Sequence, residues 1–133
     1  MIDVCGALGI EAAMGEVPGE YCPGAYSVHA RGRHKLMGVG QRLTRNAAHI
    51  GGVLVVDRAD LVNLPLDPVY RHLGYEWDPA ATGSLAAEAP VTVAEAATAL
   101  VSALAVRFRL READVDQETL EHATRLAPDH IPG

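Results

Sequence analysis

The spacing of apolar residues changes along this chain, and each change predicts an element. Over residues 25–31 apolar and polar positions alternate: Tyr26, Val28 and Ala30 share one face, and Ser27, His29 and Arg31 the other. That period of two predicts a strand. Gly32-Arg33 predicts a tight turn. Residues 34–43 predict a second strand, with Leu36 and Val39 apolar and glycines at 38 and 40. Thr44 to Asn46 turn the chain again. Residues 48–56 predict a third strand whose Val53-Leu54-Val55-Val56 run reads as buried on both faces. Connections this short imply an antiparallel meander. Upstream, residues 1–9 read as the last turns of a helix stopped by Gly9. Residues 10–17 read as a short strand ending at Pro18-Gly19, and the two Pro-Gly pairs within 18–24 must turn.

Downstream the period becomes helical. Residues 58–63 predict a helical turn ended by Pro65. Asp67-Pro68 reads as an N-cap and first helical residue, opening a helix through Leu73 that Gly74 stops. Residues 75–91 read as a loop. Thr92-x-x-Glu95 is a capping box. It opens an alanine-rich helix to about Phe108, with Val93, Ala97, Leu100, Val101, Leu104 and Phe108 on one face, read as core or as a helix covering a sheet. Asp116 caps a last helix, stapled by Val115 and Leu120 and ending near Pro128, before a frayed end at 131–133. Together these elements predict an α/β (α+β) chain, a largely antiparallel sheet with helices packed on it. No internal repeat interrupts it.

At 133 residues the chain is expected to be a single domain, with 49% apolar content and a mostly aliphatic core. A net charge of −6 argues against a general binder of nucleic acid or of a bilayer surface. Arg31, Arg33, Arg42 and Arg45 nonetheless fall close together in sequence and predict a local basic patch. Two cysteines, Cys5 and Cys22, are too few for a disulfide scaffold. The opening residues lack a secretory leader and no apolar run is long enough to span a membrane, so the expected location is cytoplasmic.

The candidate chemistry lies within residues 22–57. Lys35 is the only lysine of the chain. Followed by Gly38 and Gly40, it reads either as an ammonium placed over a backbone cleft, able to polarise an acyl carbonyl or neutralise a phosphate, or as a solvated lysine on a strand. Cys22, in a Cys-Pro-Gly turn, is either a thiol nucleophile or a small residue packed under the turn. Gly51-Gly52 either lets a ligand approach the backbone or marks a bulge. Gly38-x-Gly40 lacks the third glycine and following helix of a dinucleotide fingerprint. His29, His34 and His49 are too scattered to suggest a metal.

The segment PGAYSVHARGRHKLMGVGQRLTRNAAHIGGVLVVD resembles the later half of the catalytic domain of lipoate–protein ligases and octanoyltransferases, within the wider biotinyl/lipoyl ligase family. The matching blocks run from Gly32 through Lys35, Gly38, Gly40 and Gln41 to Arg42, and from Gly51 to Asp57; the resemblance covers residues 15–110. Here His34 adds one residue between Arg33 and Lys35, and His49 sits one position earlier than the family's histidine. The resemblance implies attachment of lipoate or octanoate to the lysine of a lipoyl domain or a glycine-cleavage H-type acceptor. It implies that Lys35 contacts the acyl carbonyl or acyl-phosphate, that Cys22 stands near the acyl nucleophile of some octanoyltransferases, and that Gly38, Gly40, Gln41, Gly51 and Gly52 shape the substrate cleft. A ligase would need ATP and Mg²⁺; an octanoyltransferase would need no cofactor and would take its acyl group from an octanoyl carrier. The family's Arg-Arg-x-x-Gly-Gly half is not in this sequence, so the expectation is a partial domain with open sheet edges. Such a chain would be completed by an upstream segment or a separate N-terminal subunit. The alternative reading is a non-catalytic remnant or subunit that binds a partner completing the sheet.

Overall fold

The computed structural model describes residues 1–130; the expected frayed end at 131–133 lies outside them. Helix α1 spans Ile2–Ala7. It ends in a Schellman motif, in which Ile10 N–H reaches Cys5 O at 2.9 Å and Gly9 N–H reaches Gly6 O at 3.0 Å. Gly9 takes the left-handed conformation this requires, at φ +74°. Strands β1 (Ala12–Met14), β2 (Val28–Ala30), β3 (His34–Leu43) and β4 (Ala48–Leu54) form one antiparallel sheet in chain order. The fold is thus α+β with the expected meander, and β3 has the expected bounds.

The first two strands are shorter than the alternation predicts. The buried Glu20 carboxylate explains the second. Its Oε1 accepts from Gly24 N–H at 3.0 Å and from Ser27 Oγ at 2.8 Å. That draws residues 24–27 into a turn, closed by Ser27 N–H to Gly24 O at 2.9 Å, and leaves only Val28–Ala30 to pair. Strand β1 pairs only across that remaining length.

Helix α2 runs unbroken over Ala59–Leu73, where two shorter helical segments were expected. Pro65 and Pro68 lie inside it. Each removes the donor to the carbonyl four residues earlier, those of Leu61 and Leu64, and both residues are exposed, where a lost backbone hydrogen bond costs least. Asp67 is therefore no N-cap; it pairs with Arg71 one turn on. Gly74 ends α2 as expected, at φ +70°.

The segment expected to be a loop is among the most buried of the chain. Residues 81–85 are all buried. A 3₁₀ turn, Pro79–Ala81, leads to helix α3, Leu85–Glu88. Gly83 N–H bonds to Lys35 O and Leu85 N–H to Val55 O, so the segment adds to the sheet beside β3. Small side chains permit this approach: a β-carbon at Gly83 would stand 2.7 Å from His34 Cβ.

Helix α4, Val93–Arg107, opens with the expected capping box. Its packing face differs from expectation. Ala96 is buried, with Ala99, Leu100 and Ala103 half-buried, and α4 rests on α1. The larger stripe points to solvent, with Val93 67% and Phe108 62% exposed. Small side chains let two helices approach closely, and that contact turns the bulkier residues outward. Helix α5, Gln117–Leu126, keeps its Asp116 cap, is exposed along its length and continues into a 3₁₀ turn over Ala127–His130. The core gathers Cys5, Ile10, Val28, Ala30, Leu36, Leu85 and Ala96.

Glu88 fastens α3 to the β2–β3 turn. Its carboxylate meets His34 Nδ1 at 2.8 Å and Arg31 Nε at 2.9 Å. The His34 hydrogen bond, with the Arg31 charge assisting and burial opposing, holds the Glu88 carboxyl below its ordinary value of 4.5. A depressed carboxyl stabilises the fold above its unfolded value, and that contribution is lost as pH falls through the folded value. Glu88→Gln should lower the thermal midpoint near pH 6 and narrow its gap to wild type below pH 4; parallel melting curves across that window would contradict the assignment.

Candidate functional site

The site is built by register. On the β3–β4 hairpin Gly38 pairs with Val53, Gly40 with Gly51, and Arg42 with His49. Directly opposed residues of an antiparallel pair share a face. One face therefore carries three glycines in a row, Val53 at its inner end, and Arg42 beside His49 at the hairpin tip. Removing side chains from three adjacent positions leaves a floor of backbone. Tyr21 and Cys22 stand along it, and together these residues line a mainly apolar groove of about 570 Å³.

All five residues expected to shape a cleft, Gly38, Gly40, Gln41, Gly51 and Gly52, line this groove, and Cys22 lies on its wall. The glycines differ in purpose. A β-carbon at Gly52 would overlap the Met37 methyl, so Gly52 is small for packing. A β-carbon at Gly40 would meet nothing within 4 Å. Packing within the described residues gives Gly40 no reason to lack a side chain.

Lys35 lies behind the Tyr21–Cys22 wall, on the same side of the sheet as the glycine floor, and is fully buried. The cause is a bulge: β2 and β3 slip register between Val28 and His29, so His29 pairs with Lys35 while Val28 pairs with Met37. The extra residue re-aims the strand. Lys35 and Gly38 come to lie together, and a β-carbon at Gly38 would meet Lys35 Cε at 3.4 Å. Lys35 Nζ donates to Tyr21 O at 2.7 Å and Cys22 O at 2.9 Å, stands 3.6 Å from Glu20 Oε2, and lies 4.6 Å from the Tyr21 ring centre. Neither alternative of the sequence describes this placement, since the ammonium is neither solvated nor open to the cleft.

Cys22 is exposed, with φ +42°, a backbone state that side chains rarely adopt. Tyr70, from α2, accepts from Cys22 N–H at 2.6 Å, and its hydroxyl donates to Cys22 Sγ at 3.6 Å. Tyr21 Oη is buried without a hydrogen-bond partner among the described residues. Burial pushes both phenols up, with Cys22 and Glu20 adding to the shift in each. Both tyrosines are therefore neutral near pH 7.

Glu20, Tyr21 and Tyr70 escape the sequence reading. The lone lysine is a signal for Glu20, because a lysine inside a fold demands a carboxylate. Tyr70, 48 residues from Cys22, leaves no local trace. The expected basic patch is divided: Arg31 and Arg42 lie near opposite ends of a strand roughly 30 Å long. His29 accepts from Gly32 N–H, His34 binds Glu88 and His49 lines the groove. Among the described residues no three histidine, cysteine or acidic side chains converge as a metal site, and no helix is long and apolar enough to cross a membrane.

No family model matches the chain, and no curated protein matches it by sequence. Among solved structures, a T. acidophilum protein provisionally assigned as a lipoate protein ligase, with bound lipoic acid, superposes at a TM-score of 0.67 with 18% identity. The match covers 96% of this chain and 50% of that one. The likeness is one of fold. This chain spans half the length of that neighbour, and the bound lipoic acid belongs to the neighbour alone.

The Lys35–Glu20 pair makes its own prediction. Lys35→Met strands a buried carboxylate and two carbonyls, and should cost about 3–5 kcal/mol in urea unfolding. Adding Glu20→Gln should recover part of that loss. A single variant within 1 kcal/mol of wild type would rule out the buried pair.

Proposed function

We propose that this chain takes part in attaching lipoate or octanoate to the lysine of a lipoyl-type acceptor, with the glycine-floored groove holding the acyl chain. The observation behind this is Gly40, a position with no packing reason to be bare, on the floor of an apolar groove whose wall encloses the only lysine. The shared fold with a protein that holds lipoic acid supports the reading at the level of architecture. Backbone and Val53 suit an aliphatic chain, while Arg42 and His49 at the tip suit its polar end. Lys35 acts from behind the wall, its charge lying against the Tyr21 and Cys22 carbonyls.

A ligase route draws on ATP and Mg²⁺, which together activate a carboxylate. The groove suits the acyl part better than the nucleotide. Its lining brings one permanent cation, Arg42, and the described residues assemble no metal-binding group. A transferase route uses an octanoyl carrier and passes the chain through Cys22, which stands on the groove wall. A second reading, a subunit whose partner completes the sheet, is favoured by β4. Its outer edge pairs with no other described strand, and Ile50 and Val53 are 70% and 65% exposed.

Gly40→Leu tests the groove, because the new side chain enters open space and leaves the core alone. Titration calorimetry with octanoate and with lipoate should show binding to wild type and at least a tenfold loss in the variant, with an unchanged melting curve. Equal binding by both, or none by wild type, would sink the acyl-groove reading. Transfer assays with an apo lipoyl domain, run with ATP and lipoate or with octanoyl carrier, separate the routes. Binding without transfer in either assay favours the partnered subunit.

A further inference from the structure

The geometry points to Tyr70 as the positioning residue for Cys22, its hydroxyl fixing the cysteine backbone and hydrogen-bonding the sulfur so that the thiol is held on the groove wall as an acyl acceptor. This inference rests on the transferase route of the reading above and adds a residue to it. One hydroxyl makes two contacts with one residue: it accepts from Cys22 N–H at 2.6 Å and donates to Sγ at 3.6 Å. The two contacts use opposite capacities of the phenol, acceptor and donor, and so are compatible. The first holds Cys22 at φ +42°, a conformation that needs outside support to persist. Lys35 supplies the rest of that support through Cys22 O at 2.9 Å. The Cys22 backbone is thus pinned at its nitrogen by α2 and at its oxygen by β3.

Two further observations set this thiol apart from a cysteine that merely lies at the surface. Cys22 lines the groove together with Gly38, Gly40 and Gly51. Tyr21, on the same wall, buries a hydroxyl that no described residue satisfies, a cost tolerated where a ligand or water supplies the partner. Tyr70 itself is braced by Trp77 and Tyr75, whose ring centres lie 5.4 and 6.2 Å from its own. Its hydroxyl is therefore aimed by packing and does not depend on the cysteine for its place.

The chemistry is one exchange. The Cys22 sulfur bonds to the acyl carbon of an octanoyl thioester, the donor's carbon–sulfur bond breaks, and the Cys22 proton leaves with the donor thiol; no electrons are gained or lost. A donor hydrogen bond to sulfur favours the thiolate that attacks.

Alkylation by iodoacetamide across pH 6–10 tests the assignment. Cys5 is fully buried, so peptide mass mapping can follow Cys22 alone. Tyr70→Phe keeps the ring against Trp77, and the fluorescence of that single tryptophan reports that the fold is retained. The expected result is an alkylation profile displaced to higher pH, with a roughly three- to tenfold slower rate at neutral pH. A midpoint unchanged in a folded variant would overturn the role of Tyr70. Incubation of wild type with an octanoyl thioester is scored separately: octanoyl mass on Cys22 supports the transferase route. A raised midpoint without that mass would keep Tyr70 as the positioning residue and reject Cys22 as acyl acceptor.

Discussion

The groove depends on an ammonium that cannot be seen from it. Lys35 is enclosed between Glu20, the Tyr21 ring and two carbonyls, and each contact orders the segment between β1 and β2. Burying an ammonium this completely costs free energy unless charges and hydrogen bonds compensate it. Here the compensation is the 20–22 segment itself. Glu20 in turn spends its other oxygen on Gly24 and Ser27, so the same carboxylate that balances Lys35 also sets the turn into β2. The wall of the groove, the shortened strand and the bulge that aims Lys35 inward are one coupled arrangement.

This coupling explains what could be read from the sequence. The meander, the bounds of β3, both helix caps with side-chain partners and the stop at Gly74 are local, and local rules found them. The glycine floor was also legible, because a hairpin joined by a short turn fixes which residues oppose one another. Lys35 was misplaced because a bulge adds one residue without any signature in composition. The Ala-Ala-Thr-Gly-Ser segment falls within a stretch read as a loop, and its small residues let it lie beside β3 with Gly83 N–H bonded to Lys35 O. Tyr70 reaches Cys22 across 48 residues, a contact that only the assembled fold could bring about.

The described residues bury few side chains for the number of apolar ones they carry. Core packing centres on α1, β2, β3 and α3, whereas the far part of the hairpin, much of α2 and one side of α4 show aliphatic residues to solvent. An unpaired strand edge next to exposed Ile50 and Val53 is a surface that proteins ordinarily cover or charge. On β4 it carries neither lysine nor acid, and His49 is its only ionisable side chain. The two readings of function share this feature, since a groove open along one side gains enclosure from whatever pairs with that edge.

The enclosure of Lys35 constrains any chemistry assigned to it. For the ammonium to touch a ligand in the groove, the Tyr21 ring or the Cys22 carbonyl must move away, and Glu20 must then be neutralised by something else. The cost of that exposure is of the size of breaking a buried ion pair, about 3–5 kcal/mol, unless the ligand replaces the lost contacts. Acting in place costs nothing: the charge already lies behind the carbonyls of the two residues that line the wall. The part of its field that Glu20 leaves unbalanced reaches the wall without movement. In the acyl-groove reading proposed above, Lys35 contributes most simply as a fixed charge that holds the wall, and the groups left to touch the ligand are the glycine backbone, the Cys22 thiol and, at the tip, Arg42 and His49.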